Sequence, residues 1–200
     1  SFSEGYTFIN CTIMYNESHE RGGGIYNTFA NQDNQNLINC IVWGNEVDSK
    51  TDLFNSGIYK DEFSKSHISH SLVQNSNGSG DNWSTNLGTD GGNNIDQDPL
   101  LAGVLEGIED IKIETSSPIL NAGNNAAISD KTDYDYLGND RIINEVVDLG
   151  AIEFFAATPN LDDMVFNLCE SPYFFDWSIV PDAIAYQIKI NLDGEIIERR

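Results

Sequence analysis

The phrase Phe8-Ile9-Asn10-Cys11-Thr12-Ile13-Met14-Tyr15-Asn16-Glu17 returns 29 residues on as Leu37-Ile38-Asn39-Cys40-Ile41-Val42-Trp43-Gly44-Asn45-Glu46, with five of the ten positions identical. A third, weaker copy lies 31 residues further, where Ile68, His70, Ser71, Leu72 and Val73 stand for Leu37, Asn39, Cys40, Ile41 and Val42. A second phrase travels with the first: Gly23-Gly24-Ile25-Tyr26-Asn27, then Ser56-Gly57-Ile58-Tyr59-Lys60. Self-similarity at this period marks a repeat architecture, in which each unit buries its apolar face only against its neighbours.

The apolar runs are short and rich in Ile, Val, Phe, Tyr, Trp and Thr, residues that suit a pleated, half-buried surface. None has the length or the 3.6-residue period of a helix, which excludes helical repeats. The reading is an all-β chain, a parallel β-helix whose equivalent strands stack about 4.8 Å apart. Each side chain then meets its own repeat equivalent. Phe8, Leu37 and Ile68 are predicted to form one apolar column, and Ile13, Val42 and Val73 another. Asn10 over Asn39 is predicted to form an amide ladder. Cys11, Cys40 and Ser71 suit a tight inner position, with the cysteines as buried free thiols, because stacked parallel neighbours seldom aim their sulfurs for a disulfide. Tyr26 and Tyr59 should form a two-rung stack.

The net charge is −22, from 32 acids against 10 bases. Such a surface argues against nucleic acid or an anionic membrane as partner, since both call for basic surface. No apolar run approaches the roughly 18 residues that span a bilayer, so direct membrane insertion is not expected. A monomer is. The chain begins without Met and inside a repeat, and is read as a segment of a longer one.

Past the repeats, residues 74–98 read as a long polar loop with Trp83 as its bulky residue. Ile111-Lys112-Ile113 reads as a short strand, and Ser117-Pro118 to Gly123 as one helical or 3₁₀ turn. Residues 1–156 are assigned to the repeat domain. From 157 to 200 a different pattern runs, Phe174-Phe175-Asp176-Trp177 through Val180-Pro181 to Tyr186-Gln187-Ile188-Lys189-Ile190. It resembles the start of a fibronectin type III-like β-sandwich, which needs about 90–100 residues and is here incomplete.

Four motifs in one order resemble a bacterial family: Asn94-Ile95-Asp96-Gln97-Asp98-Pro99-Leu100, Ser117-Pro118-Ile119-Leu120-Asn121-Ala122-Gly123, Asp135-Tyr136-Leu137-Gly138-Asn139-Asp140-Arg141, and Val147-Asp148-Leu149-Gly150-Ala151-Ile152-Glu153. They are similar to the end of right-handed parallel β-helix surface proteins of the choice-of-anchor Q type, as are the Asn-Cys phrases and Gly23-Gly24-Ile25-Tyr26. The resemblance implies the C-terminal part of a right-handed, single-stranded, pectate-lyase-like superhelix and a secreted or cell-surface location. It carries no catalytic residues.

Lyases on such folds use Arg or Lys as base, and hydrolases need two carboxylates about 5–9.5 Å apart. The seven bases of residues 1–156 do not cluster in sequence, and an acidic chain generates carboxylate spacings freely. No catalytic residue is assigned. Trp43, Tyr26, Tyr59 and Trp83 are the candidate ligand-binding residues, because aromatic rings offer flat apolar faces to pyranose rings. His19, His67 and His70 are weak as a metal set. Asp133, Asp135 and Asp140 around Gly138 form a candidate calcium loop, against a reading in which Arg141 pairs with Asp133, Asp135 or Asp148 and pins the final turn. The expected function is that of a non-catalytic surface or secreted protein, adhesin-like or in contact with a polysaccharide or surface glycan. The alternative is the end of a polysaccharide lyase or glycosidase whose active strands lie upstream.

Overall fold

A computed structural model of the chain describes residues 5–28, 34–48, 57–103, 111–129, 133–143 and 145–154, together with strand segments 165–166, 175–176, 188–192 and 195–199. The chain divides into two compact units, Ser1–Phe154 and Phe155–Arg200. Among the described residues there is no α-helix, and the one helical element is a 3₁₀ turn, Asn125–Ala127, capped by the Asn124 side chain.

In the first unit the first repeat supplies β1 (Tyr6–Ile9), β2 (Thr12–Met14), β3 (Glu17–Ser18) and β4 (Ile25–Asn27). The second supplies β5 (Asn34–Ile38), β6 (Ile41–Trp43), β7 (Glu46–Val47) and β8 (Ile58–Lys60), and the third β9 (Lys65–Ser69) and β10 (Leu72–Val73). A further strand, β11, covers Thr89–Asp90. Equivalent strands pair in parallel: β1-β5-β9-β11, β2-β6-β10, β3-β7 and β4-β8. The register aligns Phe8, Leu37 and Ile68 in one column and Ile13, Val42 and Val73 in another.

Alternation along each strand sends Leu37, Ile68, Val42, Val73, Cys40 and Ile58 into a core that Trp83 and Leu87 complete. A second cluster joins Ile41 and Leu72 to Ile119 and Leu149 of the later chain. Cys11, half-buried, and Cys40, buried, are free thiols, and the reason for Cys or Ser at this column is a shared bond. Cys11 Sγ, Cys40 Sγ and Ser71 Oγ each donate to the carbonyl two residues earlier, at 3.3, 3.3 and 2.9 Å.

Two expectations change. The amide ladder is not made by Asn10 and Asn39: both Asn10 side-chain polar atoms are buried without a partner. Asn39 instead bonds the backbone of Asn124, accepting its N–H at 2.7 Å and donating to its carbonyl at 3.2 Å. The position is set by backbone shape, since Asn10, Asn39, His70 and Asn93 have φ of 53°, 56°, 45° and 58°. Asn tolerates this left-handed region better than most residues. The ladder sits at the second Asn of the phrase, where Asn45 Oδ1 accepts from Asn16 N and Nδ2 at 3.0 and 2.9 Å, and Asn45 Nδ2 donates to the Ile13 carbonyl.

Residues 74–98 are also more than a loop. β11 pairs with β9 through Thr89↔His67 and Asp90↔Ile68, and Ile95 bridges Leu72. Asn94 takes the place next after Cys11, Cys40 and Ser71, with its Oδ1 accepting from Ser71 N and its Nδ2 donating to the Ile68 carbonyl. This fourth layer arrives 22 residues after the third and is written in Gly and Asn, so no apolar run announces it.

Further on, β12 (Leu101–Ala102) and β13 (Lys112–Ile113) pair antiparallel. The expected turn at 117–123 is a hydrogen-bonded turn over 118–121, and the 3₁₀ geometry falls at Asn125–Ala127. In the second unit β14 (Val165–Phe166) pairs antiparallel with β15 (Phe175–Asp176), and β16 (Ile188–Leu192) with β17 (Glu195–Arg199). Cys169, Trp177 and the 180–187 part of the expected sandwich pattern lie outside the described residues.

Candidate functional site

Alternation that turns Gln35, Leu37, Ser66 and Ile68 inward turns Asn36, Lys65 and His67 outward on the same sheet. The parallel register places Thr7, Asn36, His67 and Thr89 in one row across β1, β5, β9 and β11. Asn36 Nδ2 donates to Thr7 Oγ1 at 3.3 Å along this row. Over β5, β9 and β11 lies a cleft of about 780 Å³, walled by Asn36, Lys60, Ser64, Lys65, His67 and Thr89 and by residues 80–90, including Trp83 and Asp90. Its lining mixes amide, hydroxyl, imidazole and ammonium groups.

The 78–94 wall is held by Asp90. Its two oxygens accept from Ser79 Oγ at 2.8 Å, Gly80 N at 2.9 Å, Gly92 N at 2.9 Å and Asn94 Nδ2 at 2.8 Å. Burial pushes the Asp90 carboxyl up, but these donors more than offset it and hold it at about 2. A carboxylate so engaged cannot take up a proton at ordinary pH, and its lone pairs are already used. Gly91 leaves room for the imidazole: a Cβ there would stand 2.5 Å from His67 Nε2.

The four aromatic candidates are not gathered on one face. Trp83 is buried at the cleft wall, with Nε1 donating to the Gly88 carbonyl at 2.8 Å. Trp43 is half-buried against the second core cluster. Tyr26 and Tyr59 stack across β4 and β8, ring centroids 5.2 Å apart and 13° from parallel. Arg21 lies over the Tyr59 ring, 4.9 Å from its centroid, and donates to its hydroxyl at 2.7 Å. Tyr26 remains 57% exposed.

The three histidines separate as well. His70 contacts Asn93 Nδ2 at 2.9 Å, His19 contacts Asp48 at 3.2 Å, and His67 faces the cleft. Among the described residues no three His, Cys, Asp or Glu side chains form a group that could hold a metal ion. Of the calcium candidates, Asp133 is exposed and Asp140 bridges Tyr134 through its backbone. Asp135 is buried and accepts from Leu137 N, Asn139 N, Asn139 Nδ2 and Glu153 N, so protein donors surround it where a cation would.

Arg141 organises this region, but with a partner other than those named from sequence. Its Nη1 donates to Glu153 Oε1 and the Gly150 carbonyl, each at 3.0 Å, and its Nη2 to the Ala151 carbonyl at 3.2 Å. Asp148 accepts from Asn121 N and Phe154 N. Burial raises both carboxyls, Glu153 to about 7, against the pull of the Asp148 N–H and of Arg141. The segment is fastened to the strands by Gly150 N donating to the Asn39 carbonyl and Ala151 N donating to Thr12 Oγ1.

The cleft residues Asn36, Lys65, His67 and Thr89 were not singled out as ligand-binding from sequence. The available signal is the polar alternation in Lys65-Ser66-His67-Ile68-Ser69, which exposes an ammonium and an imidazole beside an inward Ile. No protein-family model matches the chain, and neither a curated protein nor a solved structure matches it significantly.

Proposed function

We propose that the chain belongs to a secreted or cell-surface protein built on a right-handed parallel β-helix, and that it contacts a glycan without transforming it. The support for the β-helix is the set of parallel sheets made by equivalent strands 29 and 31 residues apart. The observation that carries the glycan reading is the open cleft lined by the amide of Asn36, the imidazole of His67 and the hydroxyl of Thr89 over β5, β9 and β11. Sugars are dense in hydroxyls, and fixed polar groups on rigid strands match them with little loss of conformational freedom.

The non-catalytic reading rests on Asp90. Hydrolysis needs one carboxyl that holds a proton and one that is free to act, and Asp90 at about 2, bonded by four donors, fits neither role. Lys65 and His67 side by side on β9 favour one alternative, a polysaccharide lyase, which needs a base beside its substrate. A glycan array probed with the full chain, followed by mass spectrometry of each hit, tests both. Binding with the glycan recovered intact is the expected result. Unsaturated or shortened products would establish the lyase or glycosidase instead, and an array without hits would remove the glycan reading.

A further inference from the structure

Four of the eight large apolar side chains that stand exposed among the described residues fall between 134 and 142. They are Tyr134, Tyr136, Leu137 and Ile142, at 65, 64, 44 and 42% exposure. Scattered singly, such residues are ordinary on a surface, whereas gathered on one side of a fixed turn they mark a contact site.

The backbone imposes the shared side. Asp135 N donates to the Asn139 carbonyl at 2.8 Å and Arg141 N to the Asp133 carbonyl at 2.7 Å, and Tyr134 bridges Asp140 antiparallel between them. Side chains alternate along such a pair. Asp135 and Arg141 therefore turn inward, 6 and 4% exposed, while Tyr134, Tyr136, Asp140 and Ile142 turn outward. Leu137 follows at the tip, where Gly138 closes the turn at a φ of 87°. The inward pair fixes the turn: Asp135 accepts from four protein donors, and Arg141 holds Glu153 and two carbonyls. Tyr136 N adds a bond to the Ala151 carbonyl at 2.9 Å. An apolar surface preformed in this way gives up little conformational freedom on binding.

Charge selects the partner. Asp133 precedes Tyr134 and Asp140 faces it across the bridge, and both are exposed. The ion pairs among the described residues are His19–Asp48 and Arg141–Glu153, so no base neutralises either carboxylate. Arg141 is the sole Lys or Arg between 133 and 154, and it is buried. An anionic lipid surface would be repelled here. Leu137 and Ile142 lack the flat face on which a sugar ring stacks. Exposed tyrosines beside aliphatic side chains instead suit the centre of a protein interface, where Tyr is enriched.

We infer that the outward side of the 133–142 turn docks a protein segment that carries an aromatic or aliphatic side chain flanked by Lys or Arg. The tyrosines, Leu137 and Ile142 receive the apolar group, and Asp133 and Asp140 meet the flanking cations. This surface is independent of the glycan reading, which concerns the cleft over β5, β9 and β11.

The test selects a phage-displayed random peptide library on the full chain, then titrates the enriched peptides at low and high salt. The expected peptides join an aromatic or aliphatic residue to Lys or Arg, and bind more weakly at high salt. Tyr134→Ser and Tyr136→Ser should each weaken them at least about tenfold. Asp140→Asn should weaken them at low salt and flatten the salt dependence. Phe63→Ser removes an aromatic of similar exposure, 62%, and should change nothing. All these side chains are exposed, so an unchanged melting temperature certifies each variant's fold. Enriched peptides without Lys or Arg, binding indifferent to the tyrosine substitutions, or no enrichment at all overturns the inference. A dimer of the full chain in sedimentation that Tyr136→Ser abolishes assigns the face to a second copy and overturns it too. Binding to anionic or zwitterionic vesicles that the same substitution abolishes does likewise.

Discussion

Asn10, Asn39, His70 and Asn93 share a backbone angle rather than a bonding pattern. All four sit at positive φ, where a Cβ normally crowds the chain, and Asn is the side chain other than Gly that tolerates it best. Asn39 bonds both backbone groups of Asn124, and Asn93 Nδ2 meets His70 Nε2 at 2.9 Å. Asn10 buries two polar atoms without partners. Glycine separates the two roles, because it accepts the angle and deletes the amide. Asn39→Gly should cost about 1–3 kcal/mol by orphaning Asn124, whereas Asn10→Gly should be neutral or stabilising. Urea midpoints of the two variants check this, and equal losses would show that the Asn10 amide contributes as much as that of Asn39. The identity of Asn10 and Asn39 was legible in the sequence. Which of them bonds was not, because Asn124 lies 85 residues from Asn39.

At the scale of elements, the segment 133–154 is fastened through Arg141. The sequence marked Arg141 as the organiser of an acidic stretch and named Asp133, Asp135 or Asp148 as its partner. The partner is Glu153, which no spacing distinguishes from its acidic neighbours. Arg141→Ala would leave Glu153 buried and unpaired, an effect of about 3–5 kcal/mol. Loss of the segment should appear as faster amide exchange over 133–154, with added calcium giving no recovery. Glu153 also sets a pH dependence. Its folded-state affinity for a proton is raised from 4.5 to about 7, so the native state binds that proton more tightly than the unfolded chain. Stability from this group is therefore full below about 4.5 and declines as pH rises toward 7. Asp148, also raised by burial, acts with the same sign. The melting temperature should fall from pH 5 to pH 7.5, and Glu153→Gln should flatten that slope. A wild-type curve that rises over this interval would contradict the assignment.

For the molecule as a whole, the repeats were legible because stacking forces like residues onto like positions, and the columns of Leu37 and Val42 follow from that. The fourth layer was hidden because β11 and Ile95 substitute Gly, Asn and Asp for the apolar run, and Asn94 holds the place with amide bonds. Leu37 is fully buried between Phe8 and Ile68, and Leu37→Ala should cost about 2–5 kcal/mol through the space it leaves. A calorimetric midpoint matching the parent would refute that stacking. The left-handed corner has one more consequence. Successive corners are separated by 29, 31 and 23 residues, yet the strand register after each is the same. Alignment is thus reset at every corner, like a detent in a ratchet, and chain length between corners is free to drift. Such a protein can gain or lose whole excursions during evolution, or carry a grafted peptide between corners, while its neighbouring layers stay in step.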